Sequence, residues 1–293
     1  MTTPAGFNEV DPISRLVLKC PSDTFVSQHE IARQWRDLNF TAPPSLSAAV
    51  EEYDAFVALL SRAGVEVSWL PRTRTVGLDA IYVRDASIVT PRGMVLCHMG
   101  KPARQQEPAA QAASFAAWDI PVAGRIEPPG SIEGGDVVWF DERTVAVGCG
   151  YRTNRAGIEQ FRAILGSDVQ VIDVGLPHWR GPADVFHLMS IISPVDHDLA
   201  VVYSPLMPVP FRQWLIRRGI ALVEVPKEEF DSMGANVLAV APRQCVMVAG
   251  NPETRARLEE TGATVYIYRG EEISLKGGGG PTCLTRPVER RPG

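Results

Sequence analysis

Residues 80–100 read AIYVRDASIVTPRGMVLCHMG, and residues 133–150 read EGGDVVWFDERTVAVGCG. Each passes from a small or glycine-rich entry into an apolar run, turns through a few polar residues, and continues as a second apolar run. The turns are TPRG at 90–93 and FDERT at 140–144. Two β-rich runs joined so tightly read as a hairpin or adjacent strands. The pattern recurs in VFHLMSIISPVDHDLAVVY at 185–203 and in GANVLAVAPRQCVMVAG at 234–250. A fifth unit is split between the chain ends. GGGGPTCLT at 277–285 lacks its second strand, and SRLVLKCP at 14–21 can supply it through a strand near Leu16–Leu18. Helix-like stretches separate the units at Ser45–Ala63, Gln106–Ala117, Asn154–Leu165, Pro210–Arg218 and Pro252–Glu260. In the first, Ser45 stands as an N-cap ahead of Glu51 and Glu52, and apolar residues at 50, 56, 57, 59 and 60 mark one face.

One chemically capable polar residue stands near the start of each strand pair: Asp85, Asp136, His187, Asn236 and Cys283. The intervals are 51, 51, 49 and 47 residues. Polar residues at strand starts are common turn formers, but five in register define a repeat. If the units close in a ring, these five side chains converge on one end of its axis. The expectation is an α/β chain forming a single domain over residues 1–293, with five repeats of about fifty residues and no linker.

Composition narrows what such a domain does. With 45% hydrophobic and 22% charged residues among 293, the chain is ordinary globular protein. The net charge of −5, from 29 basic and 34 acidic residues, shows no basic excess for a nucleic-acid partner. No apolar run is long enough to span a membrane, and MTTPAGFNEVDPISR at the start does not read as a secretory signal. Five cysteines without CxxC spacing argue for free thiols in a reducing, cytoplasmic compartment. The expected partner is a small molecule; a homo-oligomer is left open.

The set VRD (83–85), IEGGD (132–136), GYRTN (150–154), FHL (186–188), GAN (234–236) and GGGGPTCLT resembles the guanidino-group modifying superfamily. Its members include arginine deiminase, dimethylarginine dimethylaminohydrolase and glycine amidinotransferase. The resemblance covers about Leu16 to Pro287 and implies a five-bladed α/β propeller, the pentein fold. Length favours the compact dimethylarginine dimethylaminohydrolase type over the longer deiminases.

Chemistry and resemblance then point to the same side chains. A guanidinium carbon is a poor electrophile, so its hydrolysis suits a thiolate, and Cys283 is the candidate nucleophile. The four glycines before it are expected to let the backbone approach a flat substrate. Cys20, Cys97, Cys149 and Cys245 sit in or beside apolar runs and read as packing. The resemblance gives His187 the proton shuttle, a role a histidine pKa suits. It also gives Glu133 the task of holding substrate nitrogens and orienting His187. Carboxylates are the natural receptors of a planar cation, and Asp85, Asp79, Asp136 and Asn236 complete the expected guanidinium end. Asp136 reads equally well as a structural cap of the following strand. The resemblance places Arg104 (in KPARQQE) and Arg152 (in GYRTN) on the substrate α-carboxylate.

Two positions depart from the pattern. Arg84-Asp85 resembles the deiminases and amidinotransferases, whereas the dimethylarginine enzymes usually carry Glu-Asp. Met189 stands where the former two families place an acidic residue after their histidine. The expected reaction is hydrolysis of the guanidinium C–N bond of Nω-methylated arginine through a covalent thiouronium, giving citrulline and methylamine or dimethylamine. It needs no metal and no organic cofactor. The alternatives are an arginine deiminase or citrulline hydrolase, then an amidinotransferase. A non-catalytic binding protein of the same fold ranks last, because Cys283, His187 and Glu133 are all present.

Overall fold

In each sheet two buried strands pair antiparallel, as a hairpin in four units and across the chain ends in the fifth, and a third strand returns beside one of them in parallel. The computed structural model describes residues 7–291, so residues 1–6 and 292–293 of the expected domain lie outside the described residues. Ser87–Thr90, Gly93–Leu96 and Val122–Arg125 form one sheet in that order, and Val137–Asp141, Thr144–Cys149 and Gln170–Gly175 the next. Ile192–Asp196, Leu199–Val202 and Ala221–Glu224 follow, then Leu238–Ala241, Gln244–Val248 and Thr264–Tyr268. The fifth sheet joins the chain ends. Arg286–Arg290 pairs antiparallel with Ile13–Leu18, which pairs in parallel with Glu66–Trp69.

A parallel neighbour requires a crossover of a dozen or more residues, usually a helix. The helices Leu46–Arg62, Glu107–Ala117, Arg155–Leu165, Val209–Arg217 and Pro252–Glu260 provide it. Five such three-stranded sheets make the α/β five-fold arrangement expected of the pentein fold. The inner strands are apolar and almost wholly buried, as in Leu199–Val202 and Gly93–Leu96. The outer strands are half exposed, as in Val122–Arg125.

The first helix corrects one detail. Ala49, Tyr53, Phe56 and Leu60 form its buried stripe, but the Ser45 hydroxyl makes no cap bond. The backbone N–H of Ser45 donates to Glu272 instead. Glu52, expected near the cap, is buried and accepts the N–H groups of Glu272 and Ile273. The carboxylate thus ties the helix to the segment leading into the glycine run.

Each repeated polar residue lies just before the inner hairpin of its sheet. Asp136 ends the turn Gly134–Asp136, His187 caps the turn Leu188–Ser190, and Cys283 precedes Arg286–Arg290. Because the hairpins repeat, these entry turns come together. Asp85 lies 3.9 Å from His187, Asp136 accepts the N–H of Leu188 at 2.9 Å, and Asn236 reaches Cys283 at 3.5 Å.

Candidate active site

Cys283 and His187 line one cavity of about 210 Å³, together with Asn236, Met189, Phe186 and Met233. The thiol is 8% exposed. Asn236 holds the turn: its carbonyl oxygen accepts the Thr282 N–H and hydroxyl at 3.1 and 2.8 Å, and its amide donates to Cys283 Sγ. Burial, and then the charge of Asp85, push the Cys283 thiol above its ordinary value, so it rests protonated. Gly277 and Gly278 line the cavity, as expected of backbone close to a substrate, and the run also makes room for the protein's own side chains. Only Gly278 has a positive φ, at +78°, while a Cβ on Gly277 or Gly279 would strike Tyr82 and one on Gly280 would strike Asn236.

Behind His187 lies a buried charge network. His187 Nε2 is 2.8 Å from Glu133 Oε2, and both groups are buried. Burial alone would depress the histidine pKa, but Asp136, Asp85 and Glu133 overcome it and raise it to about 9. The imidazole is therefore charged at neutral pH and donates to Glu133. Glu133 responds oppositely: burial would raise it, yet the His187 bond and charge, with Arg152, hold it well below the usual carboxylate range. Its other oxygen accepts the Lys101 N–H at 3.0 Å, and its own N–H donates to Thr153. Gly135 is required here because a Cβ would strike the His187 ring.

The remaining expected residues sit behind this pair. Asp85 accepts the Gly135 N–H and pairs with Arg104 at 2.5 Å. Asp79 pairs with Lys101 at 2.6 Å. Asp136 accepts the Leu188 N–H and the Thr153 hydroxyl, which holds the turn carrying His187, and burial raises it to about 6. It therefore ties two turns together and does not line the cavity. Arg104, expected at the substrate carboxylate, is only 4% exposed and has its donors taken by Asp85, Glu107 and the carbonyls of Asp79 and Tyr82. Arg152 is likewise buried, 3.4 Å from Glu133 and 3.3 Å from the Asp184 carbonyl. The cations that do line the cavity are Arg180 and Lys276, which the sequence pattern did not single out.

Lys101 and Thr153 were also missed, although they hold Asp79, Asp136 and Glu133 in place; Thr153 stood in GYRTN beside Arg152. Asp85, Glu133 and His187 each bring a potential ligand atom within 4.8 Å of the others. Their carboxylates are already engaged by Arg104, Arg152 and His187 itself, so the three groups are bound up in the charge network. The other cysteines are free: Cys97 and Cys245 are buried, and Cys20 and Cys149 are partly exposed. No helix among the described residues is long and apolar enough to cross a membrane.

A thiol and a carboxylate-bound imidazolium thus face one cavity at the entry turns of five repeated sheets, in the arrangement of the pentein fold. The family described as N,N dimethylarginine dimethylhydrolase, eukaryotic, matches residues 26–290, and the chain belongs to it. It is thus a member of a family of guanidino-group hydrolases. An uncharacterised protein of Aeropyrum pernix is 27% identical over 246 residues, covering 83% of this chain and 85% of that protein. The arginine deiminase of Rhodococcus opacus is 31% identical over 193 residues, 55% of this chain but 47% of its own length. Among solved structures, a cysteine-to-serine mutant of the Pseudomonas aeruginosa DDAH complexed with citrulline superposes with a TM-score of 0.76. It shares 22% identity and covers 96% of this chain and 100% of its own, a likeness of fold.

Proposed function

We propose that the protein hydrolyses Nω-methylated arginine to citrulline and methylamine or dimethylamine, with Cys283 as nucleophile and His187 as acid and base. The observation that carries this reading is the thiol and the charged imidazole facing one cavity whose wall at Met189 is apolar. Burial and then the charge of Asp85 keep the thiol protonated. A cationic guanidinium entering beside Asp85 offsets the second, so substrate binding favours the thiolate. Because His187 is already protonated, the thiol proton passes to solvent. Sγ attacks the guanidinium carbon. The C–N bond to the methylated nitrogen breaks, and the amine leaves with the proton of His187. An S-alkylthiouronium remains on Cys283. Neutral His187 then takes a proton from water, whose oxygen attacks the same carbon, and collapse releases citrulline and the thiolate. Glu133 keeps the ring oriented through both steps, and Asn236 fixes the sulfur. In this reading Arg104 positions Asp85 and Arg152 holds Glu133, while Arg180 and Lys276, paired at rest with Asp231 and Glu272, are the cavity cations that would turn to the α-carboxylate.

Met189 carries the choice of substrate. Its thioether is a weak acceptor and tolerates a methyl group, whereas unsubstituted arginine would leave an N–H poorly paired there. The test is a panel of arginine, monomethylarginine, dimethylarginine and citrulline scored for ammonia and alkylamine release. Mass spectrometry of quenched reactions should find the adduct on the peptide carrying Cys283. Arginine turnover equal to or above methylarginine turnover overturns the reading in favour of a deiminase, which the Arg84-Asp85 pair and the arginine deiminase relative support.

A further inference from the structure

The strand Arg286–Arg290 leaves the Cys283 turn and buries an arginine at each end. Against it lies a cavity of about 20 Å³, room for a single water- or halide-sized species. Arg84, Arg286, Arg290 and Trp139 line it, with Glu9 and Phe7 closing the wall. Arg84 Nη2, Arg286 Nε, Arg290 Nη2 and Trp139 Nε1 are all buried and have no hydrogen-bond partner among the described residues. Guanidinium and indole nitrogens can only donate. The lining therefore presents four idle donors, where a buried polar group is normally paired.

The charges are equally one-sided. Glu9 pairs with Arg84 at 3.3 Å, but no carboxylate among the described residues lies within 4 Å of Arg286 or Arg290. Glu289 lines the cavity yet is exposed and forms no ion pair, and Asp11 is engaged by Asn8 and His197. Burial, and the neighbouring Arg84, lower Arg286 to about 9; burial lowers Arg290 to about 10. Arginine does not give up its proton in proteins, so a cluster of this kind calls for a counter-anion.

We propose that this cavity binds one chloride-sized monovalent anion, held by Arg84, Arg286, Arg290 and Trp139. Its volume excludes a tetrahedral oxyanion without displacement of the walls. The anion would also brace the Cys283 turn. Arg84 Nε donates to the Thr282 carbonyl at 2.7 Å, its N–H donates to the Cys283 carbonyl at 3.2 Å, and Arg286 donates to the Arg84 carbonyl at 2.5 Å.

The test is thermal melting of the full chain at fixed ionic strength, with sodium chloride or bromide replacing sodium gluconate. A ligand that binds only the folded state raises the melting temperature saturably, by roughly 5 °C at one hundred times its dissociation constant. Trp139→Phe removes one donor while keeping an aromatic ring in the wall and should weaken halide affinity about ten-fold; Arg290→Met should abolish the rise. If Arg290→Met does not fold, Trp139→Phe decides the matter alone. Crystals in bromide should show an anomalous peak between the three arginines. Melting indifferent to halide, a rise unchanged in Trp139→Phe, a response confined to sulfate or phosphate, or bromide bound only elsewhere each overturns the proposal.

Discussion

Arg84 and Asp85 are joined by one peptide bond, yet their surroundings differ in sign and in balance. Around Asp85 gather Asp79, Glu107, Glu133 and Asp136, and against these five carboxylates stand four cations, Lys101, Arg104, Arg152 and His187. Nearly every charge there has a partner, and the small acidic surplus suits a cationic guanidinium in the adjoining cavity. Around Arg84, which pairs with Glu9, two further guanidiniums have no carboxylate within 4 Å among the described residues. One side is a finished network that positions a histidine and a thiol. The other is an unfinished one, and what it lacks is an anion. Buried charge costs too much to leave unpaired, so an imbalance of either sign indicates what the protein takes up.

The comparison breaks most completely at Cys283. Cys283→Ser should lose turnover on the order of 10⁶-fold, as removing a nucleophile does elsewhere, with circular dichroism and melting close to wild type. Retained turnover would remove the chemistry from this side altogether. Next comes His187→Ala, expected to lower kcat by about 10²–10⁴-fold in steady-state assays; a ten-fold loss or less would reduce His187 to a structural group.

Two stability measurements probe the pairing itself. Arg104→Met strands Asp85 and Glu107 in the interior and should cost about 3–5 kcal/mol in urea unfolding. A loss below 1 kcal/mol would mean that the network is not held by its charges. His187, held charged by Asp136, Asp85 and Glu133, also sets a pH window. Because the folded histidine pKa is raised from its ordinary 6.5 to about 9, its contribution is complete below pH 6.5 and disappears as pH rises through 9. The unfolding free energy should fall over that interval by on the order of 3 kcal/mol, and Glu133→Gln should flatten the slope. The smallest effect sharpens the substrate. Wild-type kcat/KM should favour methylarginine over arginine by ten-fold, about 1.4 kcal/mol, and Met189→Asp should move that preference toward arginine.

The elements readable in advance were those with a local signal. The helix Pro252–Glu260 has the bounds its pattern predicted, and the other four crossover helices agree to within a residue or so. The inner hairpins were equally plain, because buried strands are continuous apolar runs. The third strand of each sheet was missed: Val122–Arg125 and Glu66–Trp69 are four residues long and mostly exposed, so neither burial nor alternation marks them. Among polar residues, position in the repeat separated His187 and Cys283 from the other histidines and cysteines. Nothing comparable marked Lys101, whose partners Asp79 and Glu133 lie 22 and 32 residues away.

By itself the sequence determined five β-rich units, their order, the split unit joined across the chain ends, and the chemical groups carried at each entry turn. Hydrophobic periodicity and spacing are local properties, written in consecutive residues. Which groups face the cavity and which are consumed in holding others was decided only by the tertiary structure. Arginine illustrates why: Arg104, Arg152, Arg84, Arg286 and Arg290 look alike in the chain, and all five are buried. Their roles depend on which carboxylates and carbonyls come within about 3 Å through space, across intervals of 3 to 202 residues. A long, flexible, permanently charged side chain takes whichever acceptor the fold brings to it.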